Sequence, residues 1–228
     1  MECAGVGVTR RGVGGSLLAG LSLSACARLL IDPTLELGPR GWREVRVRYG
    51  PDPHQNLFVV RPVSGARSVV LILSDARPTT ADEALARHVA DQGMVAVLVG
   101  RRPAPVAHFP AYGSDAARAV AWSYEHLSFL GLVPSAPIGL LAIGEGGHSA
   151  RMLVHDPRYL ALVRMEGRLK AVAVAAPDRP VDGTFTHPSL YVPKASAPRL
   201  SQFEPSQLEA AINSLKQELN QACHSSEL

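Results

Sequence analysis

Cysteine is scarce in this 228-residue chain: three residues, Cys3, Cys26 and Cys223, two of them close to the N-terminus. That number and placement exclude a disulfide-stapled scaffold and a cysteine metal cluster. The chain also lacks a block of Lys or Arg, its formal net charge being +3, so there is no electrostatic footprint for nucleic acid and none is expected as a partner. Internal repeats and low-complexity blocks are missing too. No apolar run is long enough to span a bilayer well: the stretch from Gly12 to Ala25 is short and loosened by Gly12, Gly14, Gly15 and Gly20. What is there suffices for a core, since 46% of residues are hydrophobic and 19% charged. This composition and length fit one domain.

The N-terminus has the zones of an export signal: a short start with Arg10 and Arg11, the apolar stretch, and Leu23-Ser24-Ala25-Cys26 closing it. Leu-Ser-Ala-Cys resembles the lipobox of bacterial lipoproteins. The resemblance implies cleavage before Cys26, a diacylglyceryl group on its thiol, and a soluble body tethered on the periplasmic side of a bacterial cell envelope. Several acyl chains would hold it there, whereas one binds only marginally. Cys3 would then leave with the signal and Cys223 would stand alone. Thr9-Arg10-Arg11 also resembles part of a twin-arginine signal, although Gly12, Val13 and Gly14 replace the apolar residues expected after the pair. The alternative is an unprocessed small-residue helix in a cytosolic protein. The expected organisation is a signal peptide over 1–25, a linker over 26–41, a domain over 42–222 and a tail over 223–228.

Within the domain, Glu44 to Tyr49 alternates with period two, Gly50-Pro51-Asp52-Pro53 is a strong turn, and Asn56 to Arg61 returns, predicting an antiparallel hairpin at a sheet edge. Ser68 to Leu73, Met94 to Val99, Ile138 to Ile143 and Leu169 to Ala175 are continuous apolar runs, as in strands covered on both faces, and Ser189 to Val192 is a weaker strand. Helical spacing appears over Ala81 to Gln92 with Gly93 at its C-terminal end, over Ser114 to Leu130 with Ser114 as N-cap, and after a capping box at Ser206-Gln207-Leu208-Glu209. The last helix presents Leu208, Ala211, Ile212, Leu215 and Leu219 on one face. Such alternation predicts an α/β fold, a mostly parallel sheet with helices on both faces. Its binding loops lie beyond the carboxyl ends of the strands, among them 74–80, 100–112 and 144–149.

Four stretches, in order and spacing, resemble the lipase- and carboxylesterase-like esterase branch of the α/β-hydrolase superfamily, from about Trp42 to Pro177. Tyr49-Gly50-Pro51-Asp52-Pro53 with Gln55, Leu57 and Arg61-Pro62 is similar to the opening hairpin. Phe109-Pro110-Ala111, Asp115-Ala116-Ala117 and Ala119-Val120-Ala121-Trp122 resemble the substrate-side loop and first large helix. Gly144 stands where the nucleophile turn begins, and Asp156-Pro157-Arg158-Tyr159-Leu160 resembles the end of the helix after it. Each stretch is also an ordinary folding device, and Trp122 alone reads as core packing.

The resemblance implies a serine on a tight strand-to-helix turn of the form Gly-x-Ser-x-Gly. Here the turn region is Gly144-Glu145-Gly146-Gly147-His148, which reads as the family's turn with two residues, the serine among them, missing before Gly146. A slid turn offers Ser149 as a catalytic residue, with Arg151 in place of the closing glycine; otherwise Ser149 begins or caps the helix. The oxyanion loop, Ser74-Asp75-Ala76-Arg77-Pro78, has no glycine and carries a carboxylate that repels an oxyanion. The strands that carry the family's acid and base are not found, so the fold is expected to be truncated at its C-terminal end. Asp178, Asp182 and His187 form a substitute set beside Ser149, while His224 lies in a polar tail. Glu145 and His148 have helix spacing for two ligands but no third, and Gly144-x-Gly146-Gly147 is too short for a dinucleotide fingerprint; neither metal nor cofactor is expected.

Three expectations stand. One is a membrane-anchored, catalytically degenerate binding or scaffold module, with a small acyl ester or an envelope protein as partner. Another is a carboxylic ester hydrolase using Ser149 with Asp178 and His187. The third is the product of a disrupted gene.

Overall fold

The computed structural model describes residues 41–175 and 205–225. Three runs of β-branched and aliphatic residues form its centre: β3 (Val69–Leu73), β4 (Val95–Val99) and β5 (Ile138–Ile143), every residue of them buried. They can be buried on both faces because helices cover both. β1 (Trp42–Arg48) and β2 (Asn56–Pro62) form the hairpin at one edge and β6 (Leu169–Ala175) lies at the other, in the order β1-β2-β4-β3-β5-β6. β1/β2 and β2/β4 pair antiparallel; β4/β3, β3/β5 and β5/β6 pair parallel. The chain therefore has an α/β fold with a mostly parallel sheet. Along β1 the period-two pattern does what it predicts: Val45 and Val47 are buried while Arg46 and Arg48 face solvent.

Alternation along the strands divides the core. Val69, Leu71 and Leu73 pack with α2 (Ala111–Glu125), α3 (Gly146–His155) and α4 (Pro157–Leu162). Val70 and Ile72 pack with α1 (Thr80–Asp91) and α5 (Pro205–Ser225). On α5 the expected face is the buried one, with Ala211, Ile212, Leu215 and Leu219 almost wholly removed from water and Leu208 packed against them.

Helix ends depart from expectation where loop and partner compete with local signals. α2 starts at Ala111 after Pro110, without a side-chain cap, and Ser114 lies inside its first turn, its N–H donating to the Pro110 carbonyl at 3.3 Å. It stops at Glu125, before the expected Leu130, and a tight turn ending at Gly131 carries Leu127 and Leu130 into the core. α5 begins at Pro205, so Ser206 is in the helix, and Glu209 reaches His88 of α1 at 2.7 Å. A full capping box forms instead at α1, where Thr79 and Asp82 bond reciprocally. α5 also continues through Ser225, which places Cys223 and His224 on its last turns and not in a tail. Gln92 caps α1 and Gly93 follows at φ +83, as its sequence position suggests. The strand expected over Ser189 to Val192 lies outside the described residues.

Because α5 covers β5 and β6 through a few fully buried side chains, Ile212→Ala is expected to cost about 2–5 kcal/mol. Urea denaturation checks this: the midpoint falls while the slope is unchanged.

Candidate functional site

The crossover from β3 to β4 runs through α1 on one face, and that from β4 to β5 runs through α2 on the other. The connections thus part at the carboxyl end of β3, and a sheet of this kind receives ligands in the crevice opened there, between β3 and β5. In this chain the first turn of α3 lies against that crevice. Gly144, at φ +56, turns the chain off β5; Glu145 is already in helical conformation, and α3 begins at Gly146. A Cβ on Gly146 would lie 1.8 Å from the Leu73 carbonyl oxygen, so only glycine lets the first turn of α3 rest on the end of β3. The turn is compact, one residue separating Gly144 from the start of α3.

Arg101, just beyond β4, completes the closure. Its NH1 donates to Ser149 Oγ at 2.5 Å and its NH2 to the Ser74 carbonyl at 2.5 Å, while its backbone N–H reaches the Ala76 carbonyl at 2.9 Å. The guanidinium thereby ties the ends of β3 and β4 to α3. Arg101 and Ser74 are each 3% exposed and Ser149 is wholly buried. Burial pulls the Arg101 pKa down from its ordinary value, and the charges of Glu145, Asp115 and Asp75 act in the opposite sense from a distance. Two polar atoms of this cluster, Arg101 Nε and Ser74 Oγ, have no hydrogen-bond partner among the described residues.

Among the described residues, the Ser149 hydroxyl is held by a guanidinium. A serine needs a neighbouring base to take its proton; a guanidinium has five donors, no acceptor, and stays protonated. Among the described residues, the partner of Ser149 Oγ is that cation, which engages the lone pairs an attack would use. Ser149 is the fourth residue of α3 and neither caps nor begins it. Glu145 and His148 are both exposed, and among the described residues no group of three His, Cys, Asp or Glu side chains could hold a metal ion. His224 sits on α5, across the sheet from Ser149. Asp178, Asp182 and His187 lie outside the described residues, as does Cys26.

A second buried network borders the first and joins two of the stretches on which the family resemblance rests. Asp115 of α2, fully buried, accepts from Gln55 Nε2 at 2.7 Å, from Arg102 Nε at 3.0 Å and NH2 at 2.7 Å, and from the Arg102 backbone at 3.2 Å. Those donors satisfy a carboxylate that would otherwise be costly to bury. Gly50 makes room, since a Cβ there would meet Gln55 Oε1 at 2.0 Å. Tyr49 donates to the Gly100 carbonyl at 2.8 Å, and burial first, then the Asp115 charge, pushes its pKa well above the ordinary value. On the α1 face, a separate cleft of about 190 Å3 touches Arg46, His54, Phe58, Arg77 and Glu83. Its Arg46 is already paired with Glu83 at 2.6 Å.

Sequence reasoning missed Arg101 and the Gln55–Asp115 pair. One signal was available for the arginine, a charge two positions after a fully apolar strand, within a loop singled out for inspection. For the pair there was none, because its members are 60 positions apart.

Asp115→Asn leaves Arg102 without its carboxylate and is expected to cost up to about 3–5 kcal/mol, the range for breaking a buried ion pair, reduced because Arg102 is partly exposed. Chemical denaturation of the variant measures it. Tyr49 is held protonated in the fold, so the unfolded chain ionises first as pH rises past the ordinary tyrosine value of 10.0. Its contribution to stability is intact below that value and declines above it. Tyr49→Phe is expected to make the alkaline decline shallower, read from denaturation midpoints of both proteins across that range.

No protein-family model matches the chain, and no curated protein does. Solved structures do resemble it. An inhibited esterase B from Lactobacillus rhamnosis aligns with 63% of this chain and 52% of its own, at 18% identity and a TM-score of 0.50. A thermostable esterase from Pseudomonas putida aligns over 56% and 42%, at 21% identity and a TM-score of 0.46. A bifunctional GH43-CE protein from Bacteroides eggerthii aligns over 48% and 17%, at 24% identity and a TM-score of 0.41. The chain spans about half or less of the length of each. The likeness to esterase B concerns the fold alone: the described sheet and helices are arranged as in that α/β protein.

Proposed function

We propose that this chain is an α/β-hydrolase-like binding module that does not hydrolyse esters and is held at a membrane by lipid on Cys26. The observation that carries the reading is the Ser149 hydroxyl, fully buried and bonded to the Arg101 guanidinium, where an esterase would need a base. The oxyanion loop supports it as well: Ser74-Asp75-Ala76-Arg77-Pro78 has no glycine and carries a carboxylate that repels a developing anion. A hydrolase without oriented donors for the developing anion loses about two to three orders of magnitude in rate. For the anchor, the support is the Leu23-Ser24-Ala25-Cys26 sequence. Among the described residues no helix is long and apolar enough to cross a membrane.

The purified chain is expected to resist labelling by a fluorophosphonate probe and to turn over p-nitrophenyl butyrate no faster than Ser149→Ala. Labelling that disappears in Ser149→Ala would establish the rival reading, an ester hydrolase using Ser149. The anchor is tested separately in bacterial cells by detergent-phase partition. The intact chain is expected in the detergent phase and Cys26→Ser in the aqueous phase; equal partition of the two overturns the anchor.

A further inference from the structure

We infer that the Arg101–Ser74–Ser149 cluster is a receptor for a small carboxylate, placed where the esterase-like fold would otherwise host ester chemistry. The inference deepens the binding-module reading above and rests on it. Its first support is charge. Arg101 is 3% exposed, yet its hydrogen bonds go to two neutral oxygens, the Ser149 hydroxyl and the Ser74 carbonyl, and it joins no ion pair among the described residues. Buried cations are ordinarily paired, so this one is built to meet an anion. Burial holding its pKa below the ordinary value agrees with a charge that still lacks its counterpart.

The second support is unspent hydrogen-bonding capacity at the same place. A guanidinium carries five N–H donors, of which two are committed, and Nε is buried with no partner. Ser74 is buried as well, and its Oγ is also without one, although the carbonyl of the same residue is bonded to Arg101 at 2.5 Å. Two orphaned polar groups in one buried cluster are rare enough to ask for a ligand. Nε and the neighbouring amino group form a planar fork that matches the two oxygens of a carboxylate, and the Ser74 hydroxyl can add a further donor.

Position is the third support. Ser74 and Arg101 follow β3 and β4 at their carboxyl ends, the rim at which open α/β sheets take ligands. A full positive charge suits a ground-state carboxylate, the acid rather than the ester. A neutral ester would leave that charge uncompensated.

The test is an acetate titration of the isotope-labelled full chain, followed by NMR on the Arg101 Nε–H resonance, with inorganic phosphate and ethyl acetate as parallel probes. Saturable movement of that resonance with acetate, weaker with phosphate and missing with ethyl acetate, is expected. Ser74→Ala removes a hydroxyl that has no partner among the described residues, so a purely structural cluster predicts unchanged or higher stability and unchanged acetate response. The receptor predicts at least a threefold weaker acetate affinity with stability retained. Arg101→Met, if folded, is expected to lose acetate binding at least tenfold. No saturable response to acetate, tighter binding of phosphate or ethyl acetate, or wild-type affinity in Ser74→Ala overturns the proposal. These outcomes are separate from fluorophosphonate labelling, which alone bears on whether the domain hydrolyses esters.

Discussion

A guanidinium buried between two strand ends and a helix governs the functional half of this molecule. Removing such an ion from water costs several kcal/mol, and hydrogen bonds to a charged group return about 1.5–3 kcal/mol each. With two of them, Arg101 to Ser149 and Arg101 to Ser74, the terms roughly cancel. The cluster is therefore poorly explained as a stabilising device, and its consequence is geometric: the ends of β3 and β4 and the first turn of α3 are drawn onto one group. The same group bonds the Ser149 hydroxyl and the Ser74 carbonyl and, among the described residues, joins no ion pair.

The closure depends on the turn before it. Gly144 redirects the chain within one residue and Gly146 lets α3 lie on the carbonyl of Leu73, so the helix begins at once and carries Ser149 a full turn into itself, under the loop of Arg101. A longer turn would have set the serine higher on the rim. Next to it, Asp115 gathers Gln55 and Arg102 into a second buried set, fastening the hairpin and α2 to the end of β4. The two arginines are adjacent in sequence and differ in circumstance: Arg102 is paired with Asp115, and Arg101 has no carboxylate partner among the described residues.

Much of the fold was legible from local pattern. Continuous apolar runs marked β3, β4, β5 and β6 because strands covered on both faces have no polar face to show. Alternation marked β1 because an edge strand has one. The ends of α2 and α5 were less legible: Pro110 starts α2 ahead of the Ser114 signal, and Glu209 satisfies His88 across the interface in place of its own helix terminus. Such choices depend on which partner comes within reach, and that is a tertiary matter.

Residue order alone determined the α/β class, the alternation of strands and helices, and a Gly144–His148 turn without serine, since periodicity and turn chemistry act over a few neighbouring residues. Only the tertiary structure decided what Ser149 touches. Its partner, Arg101, stands 48 positions away, and nothing short of folding β3, β4 and β5 side by side brings that guanidinium to the hydroxyl and buries both.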